Sequence, residues 1–230
     1  MEGPPNFEEE VKIESEKNTG KEIIWMQKLK ELDELGDRLG MGLDAHIKEA
    51  VAAFNVNGFH TNQSCEGGHD EQSLGAPWVS IEAPDGPEER YVGEKEVYQD
   101  VAKRYEVTEE DVRRANNKEA WLEAIKLVAK NDETTEYKNW KAKSLEMHKM
   151  AKSLLKEFYE NRDAKPAVKL KLENVSKQGT FRIHNGGKDY DTLLQDMSEK
   201  QKNGLSGRLT EYQAEMKAFS EFLKDKFLKG

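Results

Sequence analysis

The 230-residue chain holds one cysteine, Cys65. A lone thiol excludes an internal disulfide and predicts a reducing, cytoplasmic setting. No apolar run approaches the ~20 residues that a helix needs to span a bilayer, so no membrane partner is expected. The stretch Met1 to Gly20 lacks a basic start followed by an apolar core, which predicts no secretory signal. Basic excess is missing too: 36 Lys and Arg against 45 Asp and Glu leave a formal net charge of -9. Broad contact with nucleic-acid backbone needs a basic face, so this balance argues against a nucleic-acid partner. No repeat of fixed period is present. With only six prolines and 35% charged residues, the sequence predicts long, well-solvated helices.

What is there reads as an α+β protein. Residues 1–19, rich in Glu, Lys, Asn and Pro, read as a flexible leader. The segment 20–92 should hold helices followed by a strand, a loop and a strand. Ile24, Trp25, Leu29, Leu32, Leu35 and Leu39 recur at helical spacing. Leu43, Ile47, Ala50, Val51 and Phe54 fall on one face of a second helix, closed by Asn57-Gly58. Phe59 to Ser64 reads as a strand, with His60, Asn62 and Ser64 on one face and Cys65 turned to the other. Pro77 to Glu82 reads as a second strand, with Val79 and Ile81 opposite Trp78 and Ser80.

Residues 93–165 read as a helical insertion. Its stripes are Val97, Val101 and Tyr105; then Trp121, Ile125 and Val128; then Leu145, His148, Ala151, Leu155 and Phe158. Thr108 followed by Glu109-Glu110-Asp111 predicts a capped helix start. Residues 166–189 read as a hairpin completing a sheet of about four antiparallel strands. It closes on the turn Asn185-Gly186-Gly187-Lys188, which lacks the spacing and hydroxyl of a phosphate-binding loop. Residues 190–230 read as C-terminal helices. Leu205, Leu209, Tyr212, Met216, Phe219 and Leu223 form a coiled-coil-like seam, which fits a monomer packed on itself or a homodimer through this helix.

Chemically capable groups concentrate between Gly58 and Asp70. Thr61, Asn62, Ser64 and Glu66 supply donors and acceptors for a small polar or nucleotide-like ligand. Trp78 offers a stacking wall and Arg182 a partner for an anion. The same loop admits an enzyme: Cys65 as nucleophile with His69 as base, or zinc held by Cys65 and His69 with His60 as a third ligand. Glu66, Asp70 and Glu71 surround the thiol with negative charge, which opposes thiolate formation. A third reading is a helical scaffold whose loop residues are ordinary turn formers.

The stretch Thr61-Asn62-Gln63-Ser64-Cys65-Glu66-Gly67-Gly68-His69, followed by Pro77-Trp78-Val79-Ser80-Ile81, resembles a pattern of uncharacterised bacterial and phage proteins. There a helix and a Gly-aromatic-x-Thr strand lead into Ser-Cys-Glu-Gly-His. This chain carries one extra glycine before the histidine. Leu155 to Tyr159 and Phe181-Arg182-Ile183 are similar to later parts of that pattern, so the resemblance spans 43–184; it implies no activity. Thr61, Ser64, Cys65 and Gly67 are also similar to a motif of the wybutosine-synthesis tRNA methyltransferases. Glu66 replaces a serine of that motif, and its following basic residue is missing, because Gly68 and His69 stand there. That similarity implies an analogy of fold alone.

Overall fold

A computed structural model describes residues 7–35, 42–69, 74–176, 179–186 and 198–230, with side chains from residue 20 onward except those at 69, 74 and 206. In chain order, helix α1 covers Phe7–Asp33 and α2 covers Ala45–Val56. Strand β1 (Thr61–Cys65) precedes a two-stranded ribbon of β2 (Gly68–His69) and β3 (Leu74–Gly75), then β4 (Trp78–Ile81). Helices α3 (Glu94–Arg104), α4 (Glu109–Arg113), α5 (Lys118–Val128) and α6 (Thr135–Glu160) lead to the hairpin of β5 (Leu170–Asn174) and β6 (Phe181–Asn185). Helix α7 covers Glu199–Lys229. The antiparallel sheet runs β1-β4-β6-β5, and the fold is α+β.

Two compact units result: Met1–Glu82 with Met147–Gly230, and Ala83–Glu146. In the first, strand alternation sends Val79, Ile81, Phe181 and Ile183 to one face of the sheet, all fully buried. They share a core with Ile47, Val51 and Phe54 of α2, Met216, Phe219 and Leu223 of α7, and Ala151, Leu154 and Leu155 of α6. Each large apolar side chain removed from water contributes about 1.5–3 kcal/mol. All six seam residues of α7 are buried within this unit. Its first turn is held by a capping box between Ser198 and Gln201.

A polar network ties three elements of that unit. The Glu215 carboxylate, on α7 and 3% exposed, accepts the Tyr159 hydroxyl at 2.9 Å and the Arg162 guanidinium at 2.7 Å. The Tyr159 oxygen in turn accepts the N–H of Leu170 at 2.7 Å, where β5 begins. Burial pushes the Tyr159 phenol above its usual range, and Glu215 adds to the shift. Hydrogen bonding to Glu215 likewise raises Arg162.

The second unit closes around Tyr98, Val101, Ala102, Val112, Ala120, Ala124 and Val128. Thr108 caps α4 through a reciprocal bond with Asp111, as the sequence predicts. The buried Glu94 carboxylate caps the preceding turn by accepting the N–H groups of Arg90 and Tyr91. The Trp140 indole donates to the Ala83 carbonyl at 2.7 Å.

Several boundaries differ from the sequence expectation. Helix α1 begins at Phe7, inside the expected leader, because Glu and Lys are good helix formers. It ends at Asp33, and Leu39 lies outside the described residues. Helix α6 does not belong wholly to the insertion: from Met147 onward it is part of the first unit, whose core takes Ala151, Leu154 and Leu155. Helix α5 buries Ala120, Ala124 and Val128 and leaves Ile125 40% exposed, since small residues allow close helix approach. Leu145 is exposed as well. Gly187 and Lys188 of the turn after β6 lie outside the described residues.

Removing one member of the Tyr159–Glu215–Arg162 network should destabilise the fold. Glu215→Gln should lose about 1–3 kcal/mol, below the figure for a fully buried pair because Arg162 is half-exposed. Tyr159→Phe should lose about 1–2 kcal/mol by leaving the Leu170 N–H without its acceptor. Urea denaturation of both variants and the double variant should show coupling above about 0.5 kcal/mol. Because the folded phenol titrates above its ordinary value of 10.0, the Tyr159 contribution should be complete below that pH and fade as the pH rises further. Additive losses would contradict the network.

Candidate functional site

Strand β1 is not regular. Thr61 pairs with Ile81, Gln63 with Ser80, Ser64 with Val79 and Cys65 with Trp78, so Asn62 is an extra residue, a β-bulge. Residues opposite one another in an antiparallel pair share a face. The bulge therefore puts Thr61 and Ser64 together on the inner side, with Ile81 and Val79, and leaves Asn62 exposed. A strict alternation pairs Ser64 with Asn62 and His60 instead; the inserted residue breaks that phase. His60 is exposed, and its carbonyl accepts the Glu82 N–H at 3.1 Å.

On the inner side, Thr61 reaches α2: its hydroxyl donates to Asn55 Oδ1 at 3.0 Å. Here a cleft of about 440 Å³ opens between β1, α2, the end of α1 and the segment before α2. Leu32, Leu35, Leu43 and Val51 give it apolar walls. Thr61, Ser64, Asn55 and Asp44 add polar groups, and the strand segment Asn62-Gln63 borders the cleft. Three of the ligand-binding residues expected from sequence, Thr61, Asn62 and Ser64, therefore meet at one cavity. The helix-side residues Asn55 and Asp44 escape sequence reasoning because they lie before the loop and read there as helix and helix boundary.

Glu66 has a structural task beside the cleft. Asp44 occupies the N-cap position of α2, yet its side chain makes no cap bond. The Glu66 carboxylate does this instead, accepting the His46 N–H at 3.0 Å. The Glu66 N–H points to Asp44 Oδ2 at 3.5 Å, and Gln213 of α7 donates to the Glu66 carbonyl at 3.2 Å. Gly67 follows with φ +80. A Cβ there would lie 2.8 Å from the Gly75 carbonyl and 2.9 Å from Leu209 Cδ1. The chain can pass this tightly only as glycine.

Of the remaining expected residues, Cys65, Trp78 and Arg182 lie on the opposite face of the sheet. Cys65, Trp78, His184 and Lys171 form one cross-strand row; Gln63, Ser80, Arg182 and Glu173 form the next. The Arg182 guanidinium stacks on the Trp78 ring, 3.9 Å from its centroid. His184 is buried, with Nδ1 2.8 Å from the Asn185 carbonyl and Nε2 3.1 Å from Glu173 Oε2. Trp78 stands on the strand between Cys65 and His184, whose backbones are therefore about 10 Å apart.

His69 lies in β2 opposite Leu74, and its side chain and Asp70 are outside the described residues. Among the described residues no three His, Cys, Asp or Glu side chains converge as metal ligands. His148, on the third apolar stripe of the insertion, is half-buried with its ring edge on Phe181 at 5.1 Å. Burial, and then Lys152, hold its pKa below the usual range.

Gly67→Ala should lower stability by about 1–3 kcal/mol in chemical denaturation, through positive φ and the backbone clash together. Gly75→Ala, where an added Cβ meets nothing within 4 Å, should change far less. Equal effects would contradict the close approach that sets the loop beside α7. Comparison of the chain with protein-family models, with curated proteins and with solved structures returns no match.

Proposed function

We propose that this protein binds a small amphipathic molecule in the cleft between α2 and β1, without covalent chemistry. The observation that carries the reading is the cleft itself: its volume of about 440 Å³ suits a small ligand, and apolar walls meet a set of hydrogen-bonding groups. The ligand's apolar part would lie on Leu32, Leu43 and Val51, and its polar part on Ser64, Asn62 and Thr61. A phosphate-bearing ligand has less support than a neutral one. Arg182, the expected anion partner, lies on the other face of the sheet, and none of the described residues lining the cleft is Lys or Arg. Cys65 does not line the cleft either, which favours binding over thiol catalysis there. A cytoplasmic setting fits the lone cysteine. Among the described residues no helix is long and apolar enough to cross a membrane.

The test is a ligand-observed NMR screen of small aliphatic and aromatic alcohols against the full chain. Binders should weaken about tenfold or more in Leu43→Trp, which fills the mouth of the cleft, and should keep their affinity in Cys65→Ser. Melting temperature would confirm that both variants fold. Binding that survives Leu43→Trp and is lost in Trp78→Ala would move the site to the outer face and overturn the reading.

A further inference from the structure

Resting on that reading, we infer that the cleft selects a cation: an alkylammonium-type ligand whose charged head meets Asp44 and whose aliphatic body lies on the apolar walls. The cavity and its walls make the site, and the charge on its lining decides the class of ligand. Asp44 is the one fully charged residue among the described lining residues. It is exposed, and its carboxylate is not engaged in capping α2, because Glu66 holds the His46 N–H in its place. The contact Asp44 does make, to the Glu66 N–H at 3.5 Å, is long and leaves acceptor capacity.

The helix end pulls the other way. An α-helix N-terminus carries about half a positive charge, which favours anions. Two carboxylates, Asp44 and Glu66, stand at this one and more than balance it. The cation on the first turn, Lys48, is paired with Asp33 at the end of α1. Among the described residues, the mouth of the cleft is therefore net negative. The chain's net charge of -9 adds a weak, salt-screened attraction for cations. Leu32, Leu35, Leu43 and Val51 offer a hydrated metal ion no ligand, and among the described residues no three His, Cys, Asp or Glu side chains converge to hold one, so the apolar walls favour a cation that carries its own hydrocarbon. An ammonium joined to an aliphatic chain satisfies both parts.

Three probes of equal apolar length separate the claims: hexylammonium, 1-hexanol and hexanoate, each titrated against the full chain by ligand-observed NMR. Hexylammonium should bind about three- to tenfold tighter than 1-hexanol, with hexanoate weakest. Asp44→Asn keeps a good N-cap residue, so the fold should hold, and it should abolish the preference for ammonium over alcohol. Hexylammonium and hexanol binding equally, hexanoate binding best, or a preference that survives Asp44→Asn would overturn the cation claim while leaving the cleft intact. No binding by any of the three, with no alcohol found in the wider screen, would overturn the cleft reading itself.

Discussion

One inserted residue in an edge strand sets which polar side chain joins strand β1 to helix α2. If the ladder running back from Cys65 and Trp78 kept strict alternation, Asn62 would stand opposite Ile81 on the core side. That would bury an amide against apolar packing, at a cost of about 1–3 kcal/mol without a partner. The bulge shifts the phase, so Thr61 takes that place and gives its hydroxyl to Asn55, while Asn62 stays exposed. Before Gln63 this shift decides which polar side chain looks toward α2; from Gln63 onward the regular pairing with β4 decides it. Thr61 and Ser64 meet the cleft; Cys65, Trp78 and Arg182 share the opposite face with His184.

The phase matters only because the surroundings are rigid. Helix α2 is fixed on the sheet by Ile47, Val51 and Phe54, and at its C-terminal end by Asn57, whose side-chain amide donates to the Leu223 carbonyl of α7 at 3.0 Å. Its N-terminal end is fixed by Glu66, and the loop bearing Glu66 is fixed in turn by Gln213 and by the tight passage at Gly67. Helix α7 is tied to α6 and β5 through Glu215, Arg162 and Tyr159. The α2 wall of the cleft thus rests on a helix that also builds the core, and the β1 wall on its pairing with β4. A cavity of this kind holds its shape before a ligand arrives, which lowers the entropic penalty of binding.

Much of this fold could be read from periodicity. Val79 with Ile81, Phe181 with Ile183, and the α7 seam all follow alternations or heptad-like spacings whose apolar positions turn out buried. The Thr108 capping box and the close of α2 at Asn57-Gly58 follow from local chemistry alone. The bulge does not: Asn62 has no residue type that distinguishes an inserted position from an ordinary one, and its phase is set by Ile81 and Val79 across the ladder. The α5 stripe misleads because Ile125 looks like a core residue, whereas the close packing of the second unit selects Ala120 and Ala124. At the site, the strand-borne polar residues are legible as a cluster. Asp44 and Asn55 join them only through the docking of α2, and Glu66 is bound to a helix end 20 residues away in sequence.

The most direct test of the account is which face of the sheet a ligand touches. Backbone amide shift mapping of the isotope-labelled chain, titrated with hexylammonium, reads this residue by residue. The expected result is a set of perturbed amides centred on Asp44, Val51, Asn55, Thr61 and Ser64. Perturbations centred instead on Trp78, Arg182 and His184, with α2 unmoved, would contradict it.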